Sequence, residues 1–105
     1  MTNISDECDQ TFEEVVKMTS TSNDVLFRLA QCFISGYDIS KLIVMLNSDD
    51  TGVVLDGLFV CKEIGSLVCE VNQSLLLLQS NEDADVKEMA NEAISLCELY
   101  LRDAR

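Results

Sequence analysis

The chain has 105 residues, of which 48% are hydrophobic, and 19 acidic against 7 basic side chains give it a formal net charge of −12. This length predicts one domain, and the apolar content argues against disorder. The excess of carboxylates disfavours nucleic acid as a direct partner and favours a basic protein, with acidity that serves only solubility as the alternative.

Hydrophobic periodicity and turn residues predict six helices. They are expected over about residues 9–19, 24–35, 39–46, 51–64, 67–79 and 83–101. A poorly ordered tail is expected at residues 1–8. Gly36 is placed to cap the end of the second helix, and Asp38 the start of the third. The fifth helix is apolar almost all round over residues 75–78, which predicts burial between neighbours, and Tyr100 of the sixth is expected in the core.

The apolar residues of these helices repeat along the chain. One copy contains Leu46, Val54, Leu58 and Cys61, the copy 32 residues later contains Leu78, Val86, Ala90 and Ala93, and the copy 28 residues earlier contains Met18, Leu26, Ala30 and Phe33. Helical pairs repeated at such a period stack, because no single pair can bury its apolar face. The sequence thus predicts a single all-α domain over residues 1–105, built as three stacked antiparallel hairpins. An irregular six-helix bundle is the alternative.

The five cysteines, at positions 8, 32, 61, 69 and 97, form no Cys-x-x-Cys pair. Four of them lie in apolar helical stretches, where a free cysteine behaves as a small buried hydrophobic residue. A disulfide framework or a zinc site would show closer and more regular spacing. The N-terminus lacks the basic and apolar regions of a signal peptide, and no apolar run is long enough to span a membrane. These observations predict a reduced, soluble, cytoplasmic protein without a membrane partner.

The segment 78–94 resembles the second half of a HEAT repeat. A leucine closes the first helix of the pair, an acidic turn follows, and Val86-Lys87 precedes two alanines three residues apart. The middle copy keeps the leucine, the acidic turn and the valine, but it has Leu55 where Lys or Arg would follow and Gly57 within the helix. The proline that often marks the first helix is missing throughout. HEAT repeats are a structural family, so the resemblance implies binding of a macromolecule in general.

As a whole, the chain also resembles the immunity proteins that bacteria pair with nuclease toxins, including those of contact-dependent inhibition systems. Size, acidity and helical architecture carry this resemblance, and no motif does. It implies an acidic inhibitor that occupies the basic cleft of a nuclease toxin and blocks it. A scaffold or adaptor domain that stacks with another helical protein or with itself is the alternative, and the oligomeric state stays open.

Acidic residues on two predicted helices are placed to form a strip. On the sixth helix Asp85, Glu88 and Glu92 are spaced i, i+3 and i+7 and share one face. On the fourth helix Asp56 stands at the repeat position equivalent to Glu88. In HEAT-type folds this surface is the concave, ligand-binding one, with a solvated polar face as the alternative. Phe59 lies off the main apolar stripe and is the candidate for an exposed aromatic anchor. The residues expected to contact a partner are Asp56, Phe59, Glu63, Asp85, Glu88 and Glu92.

The residue types that catalysis most often uses are missing. The chain has no histidine, so the commonest general base and any Ser-His or Cys-His nucleophile are absent. Its four glycines never form a phosphate-binding loop. Asn81, Asp83, Asp85 and Glu92 match positions of a calcium loop, but Val86 stands where that loop needs glycine. We therefore expect no enzyme, no metal site and no cofactor.

Overall fold

A computed structural model describes residues 4–17 and 22–103 of the chain. Within these ranges all regular structure is helical, which confirms the all-α prediction. The elements are α1 (Ile4–Lys17), α2 (Asn23–Ile34), α3 (Ser40–Leu46), α4 (Thr51–Cys61), a 3₁₀ helix (Gly65–Val71), α5 (Asn72–Leu78) and α6 (Ala84–Asp103). None of these described helices combines the length and the apolarity that crossing a membrane requires.

The first helix begins earlier than its sequence pattern indicates. α1 starts at Ile4, so residues 4–8 of the expected tail are helical, and Cys8 is only 1% exposed. Residues 1–3 of that tail lie outside the described ranges. The expected end of the first helix at residues 18–19 also lies outside them, and with it Met18 of the earliest repeat copy.

The predicted fifth helix consists of two elements. The chain forms a 3₁₀ helix from Gly65 and becomes α-helical at Asn72. Val68 and Val71, the buried residues of the 3₁₀ helix, are three positions apart. This spacing places both side chains on one side of a helix that has three residues per turn. A regular α-helix over the same residues would rotate them away from a common line.

Acidic side chains cap several helix starts. The carboxylate of Asp50 accepts a hydrogen bond from the backbone N–H of Gly52 (2.9 Å), and that of Asp83 accepts two from the first turn of α6 (2.9 and 3.1 Å). Asp38 accepts one from the backbone N–H of Ser40 (3.0 Å), and this bond lowers the pKa of its carboxyl group. Caps of this kind satisfy N–H groups that have no partner within the helix. Part of the acidity therefore has a structural role, and Asp83 serves α6.

Two glycines adopt the left-handed conformation at helix ends. Gly36 (φ 109°) follows α2, and Gly65 (φ 63°) opens the 3₁₀ helix. The backbone N–H of Tyr37 donates to the carbonyl of Cys32 (2.9 Å), which satisfies a carbonyl in the last turn of α2. The predicted cap at Gly36 is thus confirmed.

Gly57 lies inside α4, where α3 crosses closely. A Cβ atom at this position would lie 3.2 Å from both the Cβ of Met45 and a methyl carbon of Leu46. Contacts this short force the neighbour to move, because interiors are already close-packed. The glycine that departs from the HEAT pattern therefore sets the spacing between α3 and α4.

Helix α4 is the centre of the packing, since it contacts α1, α2, α3, the 3₁₀ helix and α6. In turn, α6 packs on the 3₁₀ helix and α5, while α1 packs on α2. The predicted inward face of α2 is confirmed by burial of Leu26, Leu29, Ala30 and Phe33. The buried residues of α4 are Val53, Val54, Gly57, Leu58, Val60 and Cys61. They lie on more than one side of the helix, as expected where neighbours surround it.

Two expectations about apolar residues of α5 and α6 are wrong. Leu76 and Leu77 are 46% and 75% exposed, and only Leu75 and Leu78 of this run are buried. The reason is that α5 has neighbours on one side, and no described helix covers the other. Tyr100 is 38% exposed, because the last turn of α6 extends beyond the buried row of that helix.

The cysteines behave in two ways. Cys8 of α1 and Cys32 of α2 form a disulfide, with Cα atoms 5.8 Å apart, so the prediction of free thiols is wrong for this pair. Antiparallel packing of two helices brings them together although 24 residues separate them in the sequence. Cys61 and Cys97 are free and buried, and Cys69 is free and half-buried.

Candidate functional site

Four of the six predicted partner-binding residues line one groove on the face made by α2, α4 and α6. This α2–α4–α6 groove has a volume of about 310 Å³. Its lining residues are Asn23 and Leu26 of α2, Leu55, Asp56 and Phe59 of α4, and Asp85, Glu88 and Met89 of α6. Three carboxylates and four large apolar side chains therefore share this surface, and no lysine or arginine of the described chain lines it.

Helical spacing brings the predicted residues together. Asp56 and Phe59 are three positions apart on α4, as are Asp85 and Glu88 on α6, so each pair shares one helix face. Because α4 packs against α6, the two faces meet. Asp56 is half-buried, whereas Asp85 and Glu88 are exposed. Carboxylates beside apolar surface suit a cationic side chain, which can lay its hydrocarbon stem on the apolar part and keep its charge at the acidic edge.

Glu92 of the predicted strip forms an ion pair across to the end of α4. Its carboxylate lies 2.8 Å from the Nζ of Lys62, which follows the end of α4. Both side chains are partly exposed, at 49% and 38%. The ion pair compensates the charge of Glu92 and ties α6 to α4. The helical spacing indicates only the acidic members of this surface and does not reveal the lysine.

Glu63 lies beyond the end of α4, in the turn before the 3₁₀ helix, and is exposed. It does not line the groove. The predicted strip is therefore divided into a cluster at the groove and a separate acidic position near Lys62.

The aromatic member of the groove has a partner on the neighbouring helix. Phe59 is half-buried and packs edge-to-face against Phe27 of α2, with ring centroids 5.4 Å apart and an interplanar angle of 67°. This is a favourable arrangement for two aromatic rings. Phe27 is the more exposed of the two, at 44%, and sequence reasoning missed it. Its position off the buried stripe of α2 could have identified it.

A second groove lies on the other side of Phe27, between α1 and α2. It has a volume of about 470 Å³, and its lining includes Arg28 together with Glu7 and Glu14 of α1. Arg28 therefore gives this groove a mixed charge. Phe27 lines the mixed groove and Phe59 lines the acidic one, so the contact between their rings connects the two surfaces.

In the part of the chain that the structure describes, no three metal-ligating side chains converge on a common point. No family model, no curated protein and no solved structure matches the chain.

Proposed function

We propose that this chain is a non-enzymatic protein-binding module whose α2–α4–α6 groove binds a basic protein. The observation that carries the proposal is the meeting of Asp56, Asp85 and Glu88 from two helices around an apolar surface whose described lining is otherwise uncharged. The net charge of −12 adds long-range attraction for a cationic partner. Charged pairs at such a surface govern specificity and association rate.

The architecture proposed for this module is the stack of three hairpins, α1–α2, α3–α4 and α5–α6. Contacts within each hairpin and the contacts of α2 with α4, α4 with α6 and α3 with α5 support it. In such a stack the second helices of the pairs form one continuous surface. They are α2, α4 and α6, the helices that line the acidic groove. The HEAT resemblance implies that this surface is the ligand-binding one.

The most concrete form of the proposal is an immunity protein that blocks a nuclease toxin in the cytoplasm. A nuclease active site is basic because it must hold phosphates, so an acidic surface can occupy it and exclude the substrate. The Cys8–Cys32 disulfide bears on this localisation, because cytoplasmic thiols keep most cysteines reduced. The proposal requires that the bond be reduced there or shielded, and Cys8 is 1% exposed.

The test is a capture experiment on a lysate of the native cell at low salt, followed by a high-salt step. The double variant Asp85→Lys with Glu88→Lys should lose the captured protein while keeping its helicity. A matched control, Glu70→Lys with Glu98→Lys, makes the same change in net charge away from the groove. We expect an affinity loss of at least about tenfold, or about 1.4 kcal/mol, for the first variant only. Equal losses would assign binding to overall charge, and unchanged binding in both would exclude the groove.

A second candidate function is self-association or stacking on another helical protein. The observation that favours it is the exposed apolar surface at the last hairpin, where Leu77 is 75% exposed and Leu99 52%. Association through such a surface should resist salt, since screening weakens only charged contacts. Light scattering on the purified protein separates the alternatives: a dimer that Leu77→Gln converts to a monomer supports stacking, and a monomer at all concentrations argues against self-association.

A further inference from the structure

Two of the free cysteines lie against each other in the last hairpin. The thiol of Cys69, on the 3₁₀ helix, donates a hydrogen bond to the backbone carbonyl of Cys97 on α6, with a sulfur–oxygen distance of 3.5 Å. These two elements pack directly on one another. Cys97 is 2% exposed and Cys69 is half-buried, so Cys69 is the more exposed residue of the pair.

The two thiols are also close enough to affect each other's chemistry. Burial, followed by a hydrogen bond with the Cys69 side chain and the nearby charge of Glu98, raises the pKa of Cys97 to about 11. Cys61 provides the contrast within the same molecule. Its pKa rises to about 12 through burial alone, and it is a solitary thiol in α4.

We propose that Cys69 and Cys97 are a disulfide-forming site, which a small-molecule disulfide such as oxidised glutathione converts into a cross-link between the 3₁₀ helix and α6. The thiolate of Cys69 attacks one sulfur of oxidised glutathione, a mixed disulfide forms, and one glutathione thiolate leaves. The thiolate of Cys97 then attacks the Cys69 sulfur, the protein disulfide forms, and the second glutathione leaves. The two cysteines lose two electrons and two protons, which appear in two molecules of reduced glutathione.

Accessibility decides the order of the two steps. Cys69 is half-buried and Cys97 is buried, so we expect an external disulfide to react first with Cys69. Attack by Cys97 is intramolecular, so a high effective concentration compensates for its small thiolate fraction at neutral pH. The resulting bond would join the 3₁₀ helix to α6 as Cys8–Cys32 joins α1 to α2. Each end of the fold would then carry one covalent tie.

The test uses the full chain, which is first reduced and then incubated with oxidised glutathione. The protein is then denatured, its remaining thiols are alkylated, and it is digested with trypsin. Cleavage after Lys62, Lys87 and Arg102 puts the three cysteines of interest on separate peptides. We expect Cys61 to be alkylated and the peptides of Cys69 and Cys97 to be joined. Full alkylation of both Cys69 and Cys97, or a mixed disulfide on Cys69 beside an alkylated Cys97, would overturn the proposal.

Two variants sharpen the assignment. In the Cys8→Ala, Cys32→Ala protein the Cys69–Cys97 peptides should still be joined, which excludes exchange with the first disulfide. In Cys97→Ala, Cys69 should stop at the mixed disulfide with glutathione. The measurement on the unmodified chain needs no substitution, so a variant that fails to fold leaves the test intact.

Discussion

Helices α1 and α6 lie at the two ends of the described chain and are held to the rest of the molecule in different ways. Val15 of α1 is fully buried in the core, and several individual interactions also attach this helix. Besides the Cys8–Cys32 disulfide, the hydroxyl of Tyr37 donates to the carboxylate of Asp9 (2.5 Å), and the ammonium of Lys41 lies 5.5 Å from the centre of the Phe12 ring.

The attachment of α6 relies on apolar packing. Its buried residues are Val86, Ala90, Ala93, Ile94 and Cys97, which form one row along the helix. Small alanines in this row let α4 and α5 approach closely. Helix α1 therefore combines a little core packing with bonds that can be removed singly, whereas α6 contributes a longer row of buried side chains to the core. Substitutions should separate the two kinds of attachment.

The largest effect is expected from a cavity under α6. Leu75 of α5 is completely buried, whereas Leu77 two positions away is 75% exposed. Leu75→Ala should lower the free energy of unfolding by about 2–5 kcal/mol, because it removes buried methyl groups and leaves a void. Leu77→Ala should change it by less than about 0.5 kcal/mol. Urea denaturation followed by circular dichroism measures both, and similar losses would mean that the run is buried as the sequence pattern indicates.

At the other end of the molecule, reduction should have the largest effect. A reductant should lower the free energy of unfolding by about 2–4 kcal/mol, since the cross-link restricts the unfolded chain. The Cys8→Ala, Cys32→Ala protein should start at the lower value and show no further response. If it does respond, the reductant-sensitive bond lies elsewhere in the chain.

A smaller effect is expected from the tyrosine that ties α1 to the turn after α2. Tyr37→Phe removes the hydrogen bond to Asp9 and should cost about 0.5–1.5 kcal/mol. Tyr100→Phe is the matched control, because it deletes the same hydroxyl from an exposed position with no partner in the described structure. Thermal or urea unfolding of the two variants gives the comparison, and equal stabilities would show that the Tyr37 bond adds nothing.

The contribution of Tyr37 to the free energy of unfolding should also depend on pH. Burial and the bond to Asp9 raise the pKa of the Tyr37 hydroxyl above its ordinary value of 10.0, so folding favours the protonated form. Its stabilisation is complete below the pKa of the unfolded tyrosine and declines as the pH rises toward the raised folded value. The difference in unfolding free energy between the natural protein and Tyr37→Phe should therefore be constant near neutral pH and shrink above about pH 10.

The smallest effect is expected from the exposed ion pair between α4 and α6. Lys62→Ala removes the partner of Glu92 and should cost less than about 1 kcal/mol, an effect that added salt should abolish. Lys87→Ala, which removes an exposed lysine without an ion pair in the described structure, is the control. A loss of several kcal/mol in Lys62→Ala would indicate a buried role for this lysine.

Sequence reasoning succeeds in this chain where one helix face is buried and the other is exposed to solvent. The stripe of α2 and the start of α4 at Thr51 follow from periodicity and capping chemistry. It fails over residues 67–79, because a run of leucines does not reveal which of its members have a neighbouring helix. Nor can composition distinguish an α-helix from the 3₁₀ turns that align Val68 with Val71.

The candidate site shows a similar division. The repeat spacing predicts that Asp56 and Glu88 share a surface, and both line the groove. The pairing of Glu92 with Lys62 and of Phe59 with Phe27 depends on side-chain conformations and helix crossings that no spacing rule contains. Likewise, Cys8 and Cys32 become partners only once two helices have packed in a particular register.

Gly57 has a consequence for tracing the ancestry of this chain. Glycine within a helix costs roughly 0.5–1 kcal/mol relative to alanine, and here the close crossing of α3 explains its presence. Surface carboxylates can be exchanged as partners change, whereas a larger residue at position 57 would push two helices apart. Descendants of a common ancestor should therefore retain a very small residue there long after the acidic face has diverged, which makes position 57 the better marker of kinship.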